Sequence, residues 1–324
     1  MDLITIRYRT NEGERDEDFD LDSELIDLAT LNIISIDLTP LASCGNLQEL
    51  SLRGNQLQEL DLSPIASCTS LEDLLLSRNQ LQTLDLNPLG SCVSLEGLDL
   101  DLNQLQNLDI TPLAGCTSLH RLDLSYNQIQ EINLNSLTSC SSFQKLDLSY
   151  NKLQELDIDP LSGCESLEEL VLSHNKLQEL DLIPLSSNTS LNKLNLDGNQ
   201  LQALDLAPLA SCTSLEWLDL ALNRLQEMDL GPLADCISLQ GLWLRGNQLQ
   251  ELDLNPLTNC TNLQELNIDN NQFQEIDITP LVSSRDLINL GSLANTRVVI
   301  DAQFRESPEL PEPIGQIRDR VIWR

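Results

Sequence analysis

The chain has 324 residues and carries 51 Asp and Glu against 18 Lys and Arg, a formal net charge of -33 at pH 7. A field of that sign repels phosphate backbones and anionic lipid surfaces, which excludes nucleic-acid and membrane-surface partners and favours a basic or mixed-charge protein. Aromatic residues make up 3% of the chain against an apolar fraction of 41%, so the core must be built from aliphatic side chains.

The first residues, MDLITIRYRTNEGERDEDFD, lack a cationic stretch followed by an apolar one, so no secretory leader is expected. No apolar run approaches the roughly 20 residues needed to span a bilayer. Residues 2 to 9 alternate, with Ile4, Ile6 and Tyr8 on one side, and read as a strand. Asn11 to Asp22 is dominated by acids and reads as a solvated loop, with a docking tail for a basic partner as the alternative. The strand is expected to pair with, or cover, the open end of a stack of repeats that begins at residue 23, because an uncovered edge invites aggregation.

From residue 23 the sequence becomes periodic. Residues 47 to 70 read LQELSLRGNQLQELDLSPIASCTS, and this 24-residue unit recurs in register from Leu71 through Leu263, with a degenerate first copy from Ser23. A fixed period overrides any estimate of domain count from length, because stacked repeats share one continuous core. Three segments are therefore expected: an N-terminal cap over 1–22, eleven repeats over 23–286, and a degenerate last repeat with a C-terminal cap over 287–324.

Within the unit, Leu-type residues hold positions 1, 4, 6, 11, 14, 16 and 19, and Asn holds position 9. Leu74, Leu76, Asn79 and Leu81 show the pattern in one copy, and Leu146, Leu148, Asn151 and Leu153 in another. This LxxLxLxxNxL segment resembles the leucine-rich repeat family, and the short second half is similar to the internalin type, lengthened by two residues. The resemblance implies an α/β solenoid: a right-handed superhelix with a parallel β-sheet on its concave face and short convex helical turns. It also implies stacked asparagines, here Asn55, Asn79, Asn103, Asn127, Asn151, Asn175, Asn199, Asn223, Asn247, Asn271 and Asn295, satisfying turn backbone of their own and the next copy.

The second half, LDLxPLxxC, reads as a convex turn. Pro at position 18 suits the first turn of a short helix, and the preceding residue (Thr39, Ser63, Asn87, Thr111) is often a capping type. In LDL the two leucines, such as Leu60 and Leu62, are expected to point inward, which turns Asp61 out. Asp stacks at position 15 from Asp37 to Asp277, with Asn133 the exception. Such a carboxylate row needs compensation, either by accepting local backbone N–H bonds, the favoured reading, or by bound cations. All nine cysteines fall at position 22 and read as buried, reduced thiols. They point to an intracellular, cytoplasmic setting.

After Leu287 the pattern decays. RVVIDAQF and QIRDRVIW read as two short strands around the Pro-rich SPELPEP turn, and Arg297, Arg305, Arg318, Arg320 and Arg324 make this end basic. Capping is the expected role.

Little in the sequence points to catalysis. His120 and His174 are the only histidines, and there is no phosphate loop, CxxC pair or HExxH, so neither an enzyme nor a metal or cofactor is expected. Function should instead lie where the copies differ, at positions 2, 3, 5, 7 and 8. Trp217 and Trp243 fall on adjacent strands with Asp219, Leu222, Arg245 and Asp269 close by, and Trp and Arg often dominate interface energy. A second column, Arg78, Leu102, Tyr126, Tyr150 and His174, runs along position 8. Arg121 is a further candidate contact for the partner, with simple pairing of Arg121 and Lys145 to Asp99, Asp123 and Asp147 beside them as the alternative. The expected function is a monomeric, non-catalytic protein-binding module. A peptide or small-ligand sensor and a cation-dependent structural protein are the alternatives.

Overall fold

A computed structural model describes residues 2–293, 296–307 and 309–324, so Asn295 and Pro308 lie outside the described residues. The chain forms two compact units, Met1–Leu167 and Glu168–Arg324.

The first unit opens with an antiparallel hairpin, β1 (Leu3–Thr10) and β2 (Gly13–Asp20), which pair from Leu3↔Asp20 to Thr10↔Gly13. Ile4, Ile6, Tyr8 and Thr10 turn inward, as the alternation in β1 predicts. The acidic run is not a loop. Its charges sit on an edge strand whose backbone is held by β1, and an edge rich in charge resists pairing with another chain. After β3 (Leu25–Asp27) comes β4 (Ile33–Asp37), and β1 pairs antiparallel with β4 rather than with β3. The hairpin therefore covers the second half of the first copy.

The repeats supply short parallel strands at positions 3 to 5. In the first unit β3 pairs with β5 (Glu49–Ser51), followed by β6 (Asp73–Leu75), β7 (Gly97–Asp99), β8 (Arg121–Asp123) and β9 (Lys145–Asp147). In the second unit β10 (Glu169–Val171) pairs with β11 (Lys193–Asn195), then β12 (Trp217–Asp219), β13 (Gly241–Trp243) and β14 (Glu265–Asn267). Register is constant at 24 residues, for example Leu74↔Leu98 and Leu218↔Leu242. The central residue of each strand is buried, and its two flanking side chains face away from the core. Leucines such as Leu98, Leu100, Leu105 and Leu113 are fully enclosed, and burying each contributes roughly 2 kcal/mol.

Each copy then turns through a 3-10 segment such as Ser63–Ser67 or Asn255–Asn259, with Pro in its first turn except in Asn135–Ser139, where Ser136 takes its place. Thr39, Ser63, Asn87 and Thr111, the residues before Pro, do not cap these turns with their side chains. The cap comes from two residues earlier, where Asp37 Oδ1 accepts the Thr39 N–H at 2.9 Å and Asp61 Oδ1 accepts that of Ser63 at 2.8 Å. The same bond recurs down the row to Asp277 and Thr279, and Asn133 makes it to Asn135 at 2.8 Å. Thr39, Ser63 and Thr111, through side-chain and backbone hydrogen bonds, hold Asp37, Asp61 and Asp109 below the usual carboxylate range. Of the two leucines in LDL, Leu62 is buried but Leu60 only half-buried.

Asn55 to Asn247 at this position are buried and Asn271 is half-buried, but they reach back to the preceding copy instead of forward to the next. Asn79 Oδ1 accepts from Leu57 N at 3.1 Å, while its Nδ2 donates to Leu52 O at 2.9 Å and to Leu76 O at 3.0 Å. The degenerate first copy has no amide of its own at this position. It supplies Leu31 N and Ile33 N, both donating to Asn55 Oδ1. The cysteines are buried and free, and Cys116 Sγ donates to Leu89 O of the preceding copy at 3.2 Å. Burial first, then the neighbouring cysteines, pushes the Cys116 thiol up to about 12. Asn188 replaces Cys at this position and accepts from the backbone of Ser190 and Leu191.

The second unit ends in a three-stranded parallel sheet: β15 (Glu275–Asp277), β16 (Arg297–Ile300) and β17 (Ile322–Trp323). A short helix, Glu312–Gln316, lies between the last two strands. The tail arginines are engaged close to home. Arg324 grips Glu275 through two bonds of 2.7 and 2.9 Å, Arg320 donates to Leu293 O, and Arg318 lies over the Trp323 ring.

Candidate functional site

The outward face of each strand carries the side chains that vary. In the second unit, Trp217 at position 3 of β12 and Trp243 at position 5 of β13 stack, with centroids 5.5 Å apart and planes 18° from parallel. Sequence spacing brings them diagonally together because Trp217 is in register with Gly241 and Trp243 with Asp219. Gly241 is the floor of the pair: a Cβ there would stand 2.2 Å from Trp243 Cη2 and 2.7 Å from Trp217 Cε3. Both rings remain half-buried.

Asp219 accepts the Ala221 N–H at 3.0 Å, yet burial raises its pKa to about 6, with the charge of Asp197 adding to the effect. Arg245 projects from position 7, and its charge, after that of His174, opposes the rise that burial imposes on Asp197. His174 lies in this second unit, where its Nε2 is 3.0 Å from Asp197 Oδ2. Leu222 is exposed and leans over Gly246, while Asp269 Oδ1 is buried without a hydrogen-bond partner.

In the first unit Tyr126 and Tyr150 stack more tightly, at 4.1 Å and 9°. Arg121 does not pair with the Asp99–Asp123–Asp147 row. Its guanidinium crosses Gly97 to reach Asp73 Oδ1 at 2.9 Å, two strands away, because Gly97 leaves that path open.

One property of position 8 is not visible in the residue pattern. At every copy from Thr30 to Asn270 this residue has a left-handed backbone. Gly54, Gly198 and Gly246 meet the requirement freely, whereas Arg78, Leu102, Tyr126, Tyr150, His174 and Leu222 hold φ between 51 and 56°. A side chain there costs about 1 kcal/mol relative to an unstrained residue. The recurrence of glycine at this position was the available signal.

Among the described residues, no group of three or more His, Cys, Asp or Glu is placed to hold a metal ion. No described helix is long and apolar enough to cross a membrane.

The leucine-rich repeat model matches residues 45–105, 93–153 and 141–201, and a two-copy leucine-rich repeat model matches 237–283, which together span more than half of the chain. The chain belongs to the leucine-rich repeat family. Among solved structures it is similar to an internalin (inlF) from Listeria monocytogenes, at 29% identity over 78% of this chain and 69% of that one, with a TM-score of 0.65. The functional domain of InlJ from Listeria monocytogenes, which includes a cysteine ladder, matches at 25% identity over 88% of this chain and 66% of that one, with a TM-score of 0.60. A leucine-rich repeat protein of Leptospira interrogans shares the fold at 24% identity over 94% of this chain and 78% of that one, with a TM-score of 0.72. Among curated proteins, none matches by sequence. Leucine-rich repeat proteins are generally protein-interaction modules, and the fold typically serves as a binding scaffold rather than an enzyme.

Proposed function

We propose that this leucine-rich repeat protein is a non-catalytic, monomeric module that binds a protein of basic or mixed charge on the outward, concave face of its sheet. The observation that carries the reading is the Trp217–Trp243 stack over Gly241. Two large rings on the side of the sheet away from the core gain little from packing, whereas a partner covering them would bury the area that dominates interface energy. Asp219 and Arg245 around the rings would select the partner by charge, and the short, hydrogen-bonded strands limit the ordering cost of binding.

The cation-dependent alternative loses its motive, since the outward carboxylates at position 15 already accept the N–H two residues on. Nine buried thiols with raised pKa values support a reducing, cytoplasmic setting as the accompanying proposal. The test is comparative affinity purification. Trp217→Ala with Trp243→Ala should lose partners that the wild type and a Glu131→Gln control both keep. If the double variant retains every partner, the reading is wrong.

A further inference from the structure

The first unit has a second surface of different chemistry. Leu102, Tyr126 and Tyr150 stand at position 8 of successive copies, 36%, 46% and 40% exposed, in the left-handed backbone that glycine would fill without strain. Their N–H groups are fixed in a continuation of the strand ladder, with Leu102 N donating to Ser125 O at 3.0 Å and Tyr126 N to Ser149 O at 2.9 Å. The row is therefore a rigid apolar ridge on the rim of the sheet.

Beside it Asp99, Asp123 and Asp147 lie in register on β7, β8 and β9, so neighbouring carboxylates are roughly 5 Å apart. Asp101 adds a fourth acid. Burial, a hydrogen bond with Asp99, and the charges of Asp99 and Asp123 push its pKa up to about 6. Arg121, one of the two bases beside this row, is committed to Asp73. The result is an apolar ridge bordered by a line of negative charge.

We propose that this face of the first unit docks an extended basic segment of a partner protein, with its apolar side chains on the Leu102–Tyr126–Tyr150 ridge and its arginines or lysines on the Asp99–Asp123–Asp147 row. The assignment rests on the reading of the sheet face as a partner surface and adds a footprint separate from the tryptophans. Like charges at strand spacing repel, and a guanidinium or ammonium laid across them removes that repulsion and gains charge-assisted hydrogen bonds. Stacked tyrosines add contact area with little ordering cost.

The experiment measures fluorescence anisotropy of a labelled peptide of alternating arginine and leucine against the full chain. A second peptide carries citrulline in place of arginine. Asp99→Asn with Asp123→Asn should weaken binding by about tenfold or more, as should Tyr126→Ser with Tyr150→Ser. The charge-matched pair Glu131→Gln with Glu155→Gln, on exposed positions away from the row, should change it by less than about twofold. The citrulline peptide should not bind.

Folding is preserved by design, because Asn195 and Asn267 already occupy the position of Asp99 and accept the same backbone bond, and melting curves check each variant. The proposal is overturned if the Glu pair weakens binding as much as the Asp pair, if the Tyr pair has no effect, or if the citrulline peptide binds equally. Trp217→Ala with Trp243→Ala should bind the peptide as the wild type does. Loss of the peptide in that variant alone would assign the segment to the tryptophans, overturning this footprint and leaving the proposed function standing.

Discussion

Gly241 lies directly beneath Trp243, so close that a single added carbon would stand 2.2 Å from the indole. Gly241→Ala must displace the distal edge of the Trp243 ring and the Cε3 side of the Trp217 ring, both side-chain atoms that can move without dragging the backbone. The expected outcome is a broken stack, read as a change in near-ultraviolet circular dichroism and tryptophan emission, with stability altered by no more than about 1 kcal/mol. Partner capture should fall as it does for the double Trp variant. An unchanged spectrum would show that the glycine does not set the ring geometry.

Ser136 stands where ten other copies have proline, yet its 3-10 turn, Asn135–Ser139, forms as theirs do. Its hydroxyl is buried without a hydrogen-bond partner. Ser136→Pro removes that stranded group and restricts the unfolded chain, so it should stabilise the protein by about 1 kcal/mol in denaturant unfolding. A destabilised variant would mean that this turn differs from its neighbours in a way the backbone does not reveal.

Asn133 shows what the aspartate row requires. It caps its turn as Asp61 does, with no charge, so an acceptor oxygen is enough to close the turn. Asp61→Asn should leave the melting temperature nearly unchanged, while Asp61→Ala, which removes the acceptor, should lower it. Calorimetric titration with Ca²⁺ should give no binding heat and leave the melting temperature unchanged. A saturable heat would restore the cation reading.

Stability should rise as the solution is made mildly acidic. The folded pKa of Asp219, about 6, lies above its unfolded value of 3.8, so the native state binds more protons between the two. Its unfavourable contribution is present above pH 6 and fades as pH falls toward 4. Asp37, Asp61 and Asp109 behave oppositely, since their depressed pKa values stabilise the fold above 3.8 and that contribution is lost as pH falls below it. Melting temperature should therefore peak near about pH 5. Asp219→Asn should raise it at pH 7.5, by the equivalent of about 1 kcal/mol, and flatten the rise on acidification. A variant curve parallel to the wild type would remove Asp219 as the source.

The repeat, its core leucines and the burial of Asn79 were legible because each is a one-dimensional pattern whose physical reason is local, while the direction in which Asn79 reaches was not. The placement of Trp217 beside Trp243 was legible too, since parallel register follows from the period. What stayed hidden depended on geometry that no spacing encodes. Tyr126 and Leu102 look like ordinary surface residues until their φ is known. Arg121 has acids next to it in sequence and on the adjoining strand, yet a missing side chain at Gly97 opens the way to Asp73. The second strand, β2, was masked because an edge strand facing water can be charged on both sides, leaving no alternation to detect.

The backward reach of the asparagines gives the molecule a direction in time. Leu57 N of one copy is satisfied by the amide of Asn79, which belongs to the copy after it, whereas Leu52 O already accepts from Asn55 of its own copy. A ribosome making this chain from its N-terminus thus releases each turn with a backbone N–H still open, and closes it only when the next asparagine has emerged. Structure would trail synthesis by one repeat throughout, and a chain stalled in mid-array would always end on an unfinished rung.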